Sequence, residues 1–221
     1  MIISSIYKKY PIPNILQMHM LRAASVGALI CDNWNFEENI DKDSVVQALL
    51  IHDAGNIIKF NLDASTMLTD EEKKNLNFWK TQQKIYKQKF NNYDHKATQQ
   101  IAKEIKVSDK VLYLLGNSGS SKLQQVIDSK DYNLAIVTYA DLRCAPYNIV
   151  SVNERFDDVI KRYKDSDHPL SALEEVEKRR NLGIELENIL QQFVKINLNE
   201  ILDESIKPYL EKITGYNIPT T

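Results

Sequence analysis

The 221-residue sequence predicts an all-α protein, and three observations lead to this fold class. Apolar residues recur at the three- and four-residue spacing of a buried helix face almost throughout the chain. Glycine and proline, which interrupt helices, number only six each. Few segments alternate apolar and polar residues as a strand does, and none is paired with a hairpin turn sequence.

The first two predicted helices have recognisable start and stop residues. Asn14 follows Pro13 and can cap a helix over residues 14–30. A second helix is predicted over 42–54, where Gly55 provides a C-terminal stop. Both segments place apolar side chains near one face, as expected for helices that pack against a core.

Capping sequences mark later helices. Thr69, followed three residues later by Glu72, predicts the start of one long polar helix that runs to about Phe90. Ser151 and Glu154 repeat this capping-box pattern before a helix in the second half of the chain. The remaining predicted helices cover residues 93–105, 109–115, 121–129, 132–144, 152–164, 170–194 and 198–213.

The length fits one large domain, or one domain with an appendage. The strongest punctuation in the second half is Pro146 and the polar stretch that ends at Pro169. We therefore divide the chain into a domain over residues 1–165 and a C-terminal helical extension over 166–221 that packs on it.

Composition narrows the classes of partner. A net charge of −2 gives no sign of the basic face that non-specific nucleic-acid binding requires. The apolar stretches are too short and interrupted to span a bilayer, and the N-terminus lacks the features of a signal peptide. Cys31 and Cys144 are expected to remain thiols. The sequence thus predicts a cytoplasmic protein without membrane or nucleic-acid partners. A homo-oligomer is compatible with the sequence.

A histidine–aspartate pair is the most informative feature of the chain. His52 and Asp53 directly follow the apolar run 48–51, and an imidazole beside a carboxylate suits a divalent cation. His19 and Asp141 also lie in apolar helical sequence, where an unpaired carboxylate would cost several kcal/mol to bury. A lone histidine such as His19 is more often a core residue, but the joint pattern favours metal binding.

Four ligands are therefore predicted for one divalent metal ion: His19, His52, Asp53 and Asp141. Imidazole nitrogen and carboxylate oxygen accept Mn²⁺, Fe²⁺, Co²⁺, Ni²⁺ or Zn²⁺, and Mg²⁺ remains open, so the pattern does not select the metal. Four protein ligands would leave two positions of an octahedral ion for water and substrate.

The order of His, His-Asp and Asp on separate helices resembles the HD-domain superfamily of metal-dependent phosphohydrolases. The resemblance covers residues 14–145, and it includes Arg22 three residues after His19 and Gly55 shortly after the doublet. It implies a helical bundle that hydrolyses a phosphoester or phosphoanhydride, with a nucleotide as the expected small-molecule phosphate substrate. Asp53 would act beside a water molecule that the metal activates.

The same resemblance suggests roles for four further residues. Arg22, Lys59 and Arg143 would hold the substrate phosphate. His95, a second catalytic candidate beside Asp53, could contact the scissile phosphate, act as general acid or help hold a second metal. In the structural alternative, Arg22 and Arg143 pair with buried carboxylates, Lys59 is a surface lysine, and His95 is solvated near a helix cap.

Two features differ from the common family pattern. Asn56 stands where a lysine usually follows the doublet, and only His95 is available as an additional histidine before Asp141. A complete second metal site is therefore not expected. The alternative function is a catalytically weak scaffold that binds a nucleotide or a protein partner, and a third is a purely helical interaction protein.

Overall fold

Helices account for the regular structure of the protein, in agreement with the predicted fold class. The computed structural model describes residues 1–36, 39–63, 67–163 and 172–219, and within these ranges there is no β-strand. None of the described helices is both long enough and apolar enough to cross a bilayer. The described α-helices are α1 (Ile3–Lys9), α2 (Asn14–Asp32), α3 (Lys42–Ile51), α4 (Asp70–Lys73), α5 (Leu76–Lys89), α6 (Asp94–Glu104), α7 (Asp109–Asn117), α8 (Leu123–Ser129), α9 (Tyr132–Leu142), α10 (Val152–Tyr163), α11 (Leu173–Gln191) and α12 (Asp203–Ile213).

Several predicted helix boundaries were wrong, and the segment predicted as one helix over 121–129 begins with a 3₁₀ turn at Ser120–Lys122. The long helix predicted up to Phe90 is two helices, α4 and α5, although its capping box at Thr69 is confirmed. Helix α3 ends at Ile51, and the chain turns before a short 3₁₀ segment at Asn56–Lys59. The helix predicted over 198–213 is a 3₁₀ turn, Leu198–Glu200, followed by α12. Helix α1 was not predicted.

The centre of the fold is formed by α2, α3 and α9, which pack on one another. Helices α2 and α3 approach closely at Gly27, where an added Cβ would lie 2.4 Å from Leu49 Cδ1. Buried aliphatic side chains from all three helices fill this centre, including Val26, Leu50 and Ile136. Each predicted metal ligand lies on one of these helices or directly after it.

The C-terminal helices pack on this centre. Helix α11 contacts α9 and α10, and α12 lies against α2. The two ends of the chain also meet, because the Ile3 amide donates to the Tyr216 carbonyl over 3.0 Å. The predicted boundary at 165/166 lies outside the described residues, which omit 164–171.

Candidate metal centre

Three helices bring the side chains of His19, His52 and Asp141 together. His19 lies on α2, His52 directly follows α3, and Asp141 lies on α9. The two histidine Nε2 atoms are 3.1 Å apart, and they lie 3.1 and 3.2 Å from Asp141 Oδ1. Three potential ligand atoms thus form a nearly equilateral triangle.

The size of this triangle suits a single ion. Zinc binds imidazole nitrogen at about 2.0–2.1 Å, so two adjacent ligands of one ion stand roughly 2.8–3.4 Å apart in octahedral or tetrahedral geometry. Asp53 faces both histidines, with Oδ2 3.7 Å from His19 Nε2 and Oδ1 3.8 Å from His52 Nε2. The structure therefore brings three of the predicted ligands into one group and places Asp53 beside it, and the donor set of this group could hold a divalent transition metal.

The orientation of His52 favours coordination through Nε2. Its Nδ1 lies 2.7 Å from the Leu49 carbonyl oxygen. Because a carbonyl only accepts hydrogen bonds, Nδ1 carries the proton and donates it. In neutral His52 the lone pair is then on Nε2, which faces the cluster, and such a backbone contact is the usual way of fixing a metal-binding imidazole.

The acidic neighbours control the charge of His52. Burial lowers the pKa of His52, but the Asp53 and Asp141 carboxylates outweigh burial and raise it to about 9. Burial raises the pKa of Asp141, yet the two histidines hold it well below its usual range. In the metal-free protein His52 is therefore protonated near neutral pH, and a metal ion has to replace this proton.

We expect metal affinity to rise with pH. In the metal-free protein, the contribution of protonated His52 to stability is complete below its ordinary pKa of 6.5 and is lost as pH rises to about 9. Because metal competes with that proton, affinity should increase by up to about tenfold per pH unit in this window. Competition with a chelator at about pH 6.5 and about pH 8.5 measures the change. A pH-independent affinity would contradict proton displacement from His52.

A cleft opens beside the cluster. Its volume is about 420 Å³, within the range of small-molecule sites, and His19 and Asp53 form part of its wall. A smaller cavity of about 50 Å³ is lined by His52, Asp53 and Asp141 together with His95. The other residues lining the larger cleft are Ile15, Leu16, Asn56, Lys59, Phe60, Asn61, Met67, Ser120, Pro146, Arg155, Val159, Arg162 and Tyr163.

His95 and Lys59 lie next to the predicted ligands, and their roles stay predictions. His95 is an exposed residue in the first turn of α6 and borders the smaller cavity. The Lys59 ammonium is 2.7 Å from Asp94 Oδ2. Burial lowers the pKa of Lys59, but Asp53 and Asp94 outweigh it and raise the pKa, so Lys59 is a cation in the cleft.

Arg22 points towards the C-terminal part of the chain. Its Nε lies 3.7 Å from Asp203 Oδ1, and its Nη1 donates to the Pro146 carbonyl over 3.4 Å. Arg22 is not among the described residues that line the cleft. Its predicted contact with substrate phosphate stays a prediction, and in this geometry the side chain connects α2 to the start of α12.

The assignment of Arg143 to phosphate binding has to be corrected. Arg143 is only 1% exposed, and its guanidinium donates to the carbonyls of Val150, Leu198 and Ile201. It also donates to the Tyr139 hydroxyl over 2.8 Å. With its donors engaged in the interior, Arg143 is a structural residue that binds the segment before α12 to the end of α9.

The ligand cluster and its cleft are defined by the geometry of this chain alone. Comparisons with protein-family models, curated proteins and solved structures found no match. Any function therefore has to be inferred from the donor atoms, the charges and the shape of the cleft.

Two arginines in the cleft were missed in the sequence. Arg155 and Arg162 both lie on α10, seven residues apart, and so project from one side of that helix. The available signal was this spacing together with Val159 between them. The same spacing is common on solvated helix faces, so only the packing of α10 beside the cleft distinguishes the two cases.

Gly55 sets the turn that carries the doublet. A Cβ at this position would lie 2.4 Å from the Asp94 carbonyl oxygen and 2.8 Å from the Thr98 amide nitrogen. The Gly55 amide also donates to Thr98 Oγ1 over 3.0 Å. The turn after Asp53 is therefore packed directly on the backbone of α6, where there is no room for a side chain.

Gly55→Ala is expected to destabilise the protein and to displace the doublet. Overpacking of this kind costs about 1–3 kcal/mol, and metal affinity should fall with it. Gly116→Ala is a matched control, because its Cβ would meet only the flexible Gln99 side chain, at 3.3 Å. Denaturant unfolding and metal titration of both variants measure the effects. Equal stability of the two variants would show that the α6 contact does not constrain the turn.

Proposed function

We propose that the protein is a metal-dependent phosphohydrolase that cleaves a phosphoester or phosphoanhydride, with a nucleotide as the expected substrate. The observation that carries the proposal is the convergence of His19, His52 and Asp141 within hydrogen-bonding distance of one another at the edge of a 420 Å³ cleft. Asp53 stands at the boundary between this cluster and the cleft. The proposal is also supported by the HD-type order of these residues along the chain.

The four residues have distinct roles in this mechanism. His19, His52 and Asp141 would hold one divalent ion, and Asp53 would complete the set from the side of the cleft. Such an ion supplies Lewis acidity towards a phosphoryl oxygen and lowers the pKa of water. The Asp53 carboxylate is placed to accept a proton or to orient water beside the bound phosphate.

Positive charge in the cleft supports a phosphorylated substrate. Lys59 lies in the cleft wall, and Arg155 and Arg162 line the same space. One guanidinium group can donate two parallel hydrogen bonds to the oxygens of a phosphate, which gives both affinity and orientation. Apolar wall residues such as Leu16 and Phe60 provide a surface for the non-phosphate part of the substrate.

The test combines metal analysis with a substrate panel. The protein should bind stoichiometric metal and release phosphate from at least one nucleotide or phosphoester in the presence of Mn²⁺ or Co²⁺. His52→Ala and Asp53→Ala should each abolish this release, whereas Asp128→Asn, at an exposed carboxylate on α8, should not change it. Wild-type activity in both cluster variants would exclude the proposed mechanism.

A second candidate is a scaffold of the same fold that binds a nucleotide or protein partner without turnover. This candidate is favoured because two side chains predicted to bind phosphate make contacts within the protein instead. Lys59 is paired with Asp94, and Arg143 is buried among backbone carbonyls. This candidate predicts thermal stabilisation by a nucleotide with no phosphate release, which the same panel measures.

A further inference from the structure

Helix α10 supplies two cations to the cleft. Arg155 and Arg162 both line it, and Val159 lies between them on the same side of the helix. Their side chains are 19% and 28% exposed, so both are partly buried. Neither residue belongs to the group of candidate metal ligands, and neither is needed to explain how that group would hold an ion.

One carboxylate serves both arginines. Asp158 Oδ2 accepts from Arg162 Nε over 2.8 Å and from Arg155 Nη1 over 3.4 Å. Because both contacts meet at a single oxygen atom, the two guanidinium groups are neighbours. A single negative charge thus faces two positive charges, and among the described residues Asp158 is the one carboxylate within 4.0 Å of either guanidinium group.

The chemistry of this pair suits a phosphoryl group. Two neighbouring guanidinium groups offer planar arrays of N–H donors that match the oxygens of phosphate. Partial burial strengthens the attraction, because water screens the charges less than on an open surface. The Arg155 contact with Asp158 is long, so its donors can turn to an incoming anion at small cost.

We propose that Arg155 and Arg162 form a subsite for a second phosphoryl group of the substrate. This inference rests on the proposed function, since the scissile phosphate would lie at the metal cluster. The substrate class is then a compound with at least two phosphoryl groups, such as a nucleoside diphosphate or triphosphate. Asp158 holds the two arginines in place and competes with the second phosphoryl group for them.

Binding of inorganic pyrophosphate to the chelator-treated protein tests the subsite without requiring metal or turnover. Calorimetric titration should show binding that weakens at least about tenfold in Arg155→Gln/Arg162→Gln, because charged hydrogen bonds are lost. The charge-conserving Arg155→Lys/Arg162→Lys variant should recover part of the affinity. Arg179→Gln is the matched control, since Arg179 makes an i,i+4 contact of the same 2.8 Å length with Glu175 on α11.

Asp158→Asn separates a binding role from a merely structural one. Removal of the competing carboxylate should tighten pyrophosphate binding several-fold, whereas loss of a purely structural ion pair would not. An affinity within about twofold of wild type in Arg155→Gln/Arg162→Gln, or no pyrophosphate binding by the wild-type protein, would overturn the subsite.

Turnover distinguishes failure of the subsite from failure of the proposed function. In the metal-loaded protein, the ratio of kcat/KM for a nucleoside diphosphate to that for its monophosphate should fall at least about tenfold in Arg155→Gln/Arg162→Gln. An unchanged ratio with active protein would overturn the subsite alone. Arginine-dependent pyrophosphate binding without hydrolysis of any substrate would support the subsite and exclude the hydrolase function.

Discussion

Asp141→Asn is expected to reduce metal affinity by more than about a hundredfold. Outer-shell partners of a metal site already contribute about 10- to 100-fold, and Asp141 contacts both histidines directly as the only carboxylate within 3.2 Å of them among the described residues. Asparagine keeps the shape but provides a neutral amide oxygen in place of an anion. Phosphate release should be lost together with the metal. Calorimetric titration with Mn²⁺ or Zn²⁺ measures the affinity.

A control variant tests whether the effect of Asp141→Asn depends on where the negative charge is removed. Asp128→Asn removes one exposed carboxylate from α8 and should leave metal affinity unchanged. Asp141→Asn should also lower the pKa of His52, because one of the two carboxylates that raise it is removed. Titration of the His52 ring by NMR in the metal-free variant follows this pKa. Wild-type metal affinity in Asp141→Asn would exclude Asp141 as a ligand.

Arg143→Met is expected to destabilise the protein by about 3–5 kcal/mol, the cost of removing one member of a buried ionic network. The Tyr139 hydroxyl, which accepts from Arg143, donates to Glu187 over 2.6 Å, so Glu187 belongs to the same network. Glu187 is only 7% exposed and would remain without the nearby positive charge. The carbonyl oxygens of Leu198 and Ile201 would also lose their donor. Urea unfolding followed by circular dichroism measures the difference.

A partly buried arginine outside this network provides the comparison for Arg143. Arg179→Met removes an i,i+4 ion pair with Glu175 on α11, which should cost less than about 1 kcal/mol. A loss in Arg143→Met no larger than in Arg179→Met would show that the network does not hold the C-terminal segment.

Much of the helical architecture was predictable because helix formation is governed by local residue patterns. The caps at Thr69 and Ser151 were identified correctly, and the structure contains both reciprocal contacts. The breaks inside the predicted helices had no recognisable signal in the sequence. At residues 201–202 the helical pattern continues, but the chain leaves the helix where the Ile201 carbonyl accepts from Arg143, 58 residues away.

The candidate metal ligands could be predicted for a different reason. A histidine or a carboxylate in an apolar helix is costly unless it has a partner, so His19 and Asp141 stood out from their neighbours. The doublet at His52 and Asp53 supplied the expected partners. The structure places the Nε2 atoms of His19 and His52 and Oδ1 of Asp141 within 3.2 Å of one another, and Asp53 lies beside them. That these residues bind a metal stays a prediction.

The cations around the cluster show what local sequence leaves undecided. Arg143 was predicted to bind the substrate phosphate, but its buried guanidinium donates to backbone carbonyls instead. Arg155 and Arg162 had the spacing of an ordinary solvated helix face, yet they line the cleft. Long, flexible basic side chains can serve either purpose, and their neighbours decide which.

The sequence by itself determined the all-α class, most of the helices and the set of ligand candidates, because these depend on helical periodicity and on the cost of burying polar groups. Tertiary structure alone decided where the doublet turns, which cations face the cleft and which bind the C-terminal segment. These features depend on contacts between residues distant in the chain, such as Gly55 with Asp94 or Arg143 with Ile201. No local pattern encodes those distances.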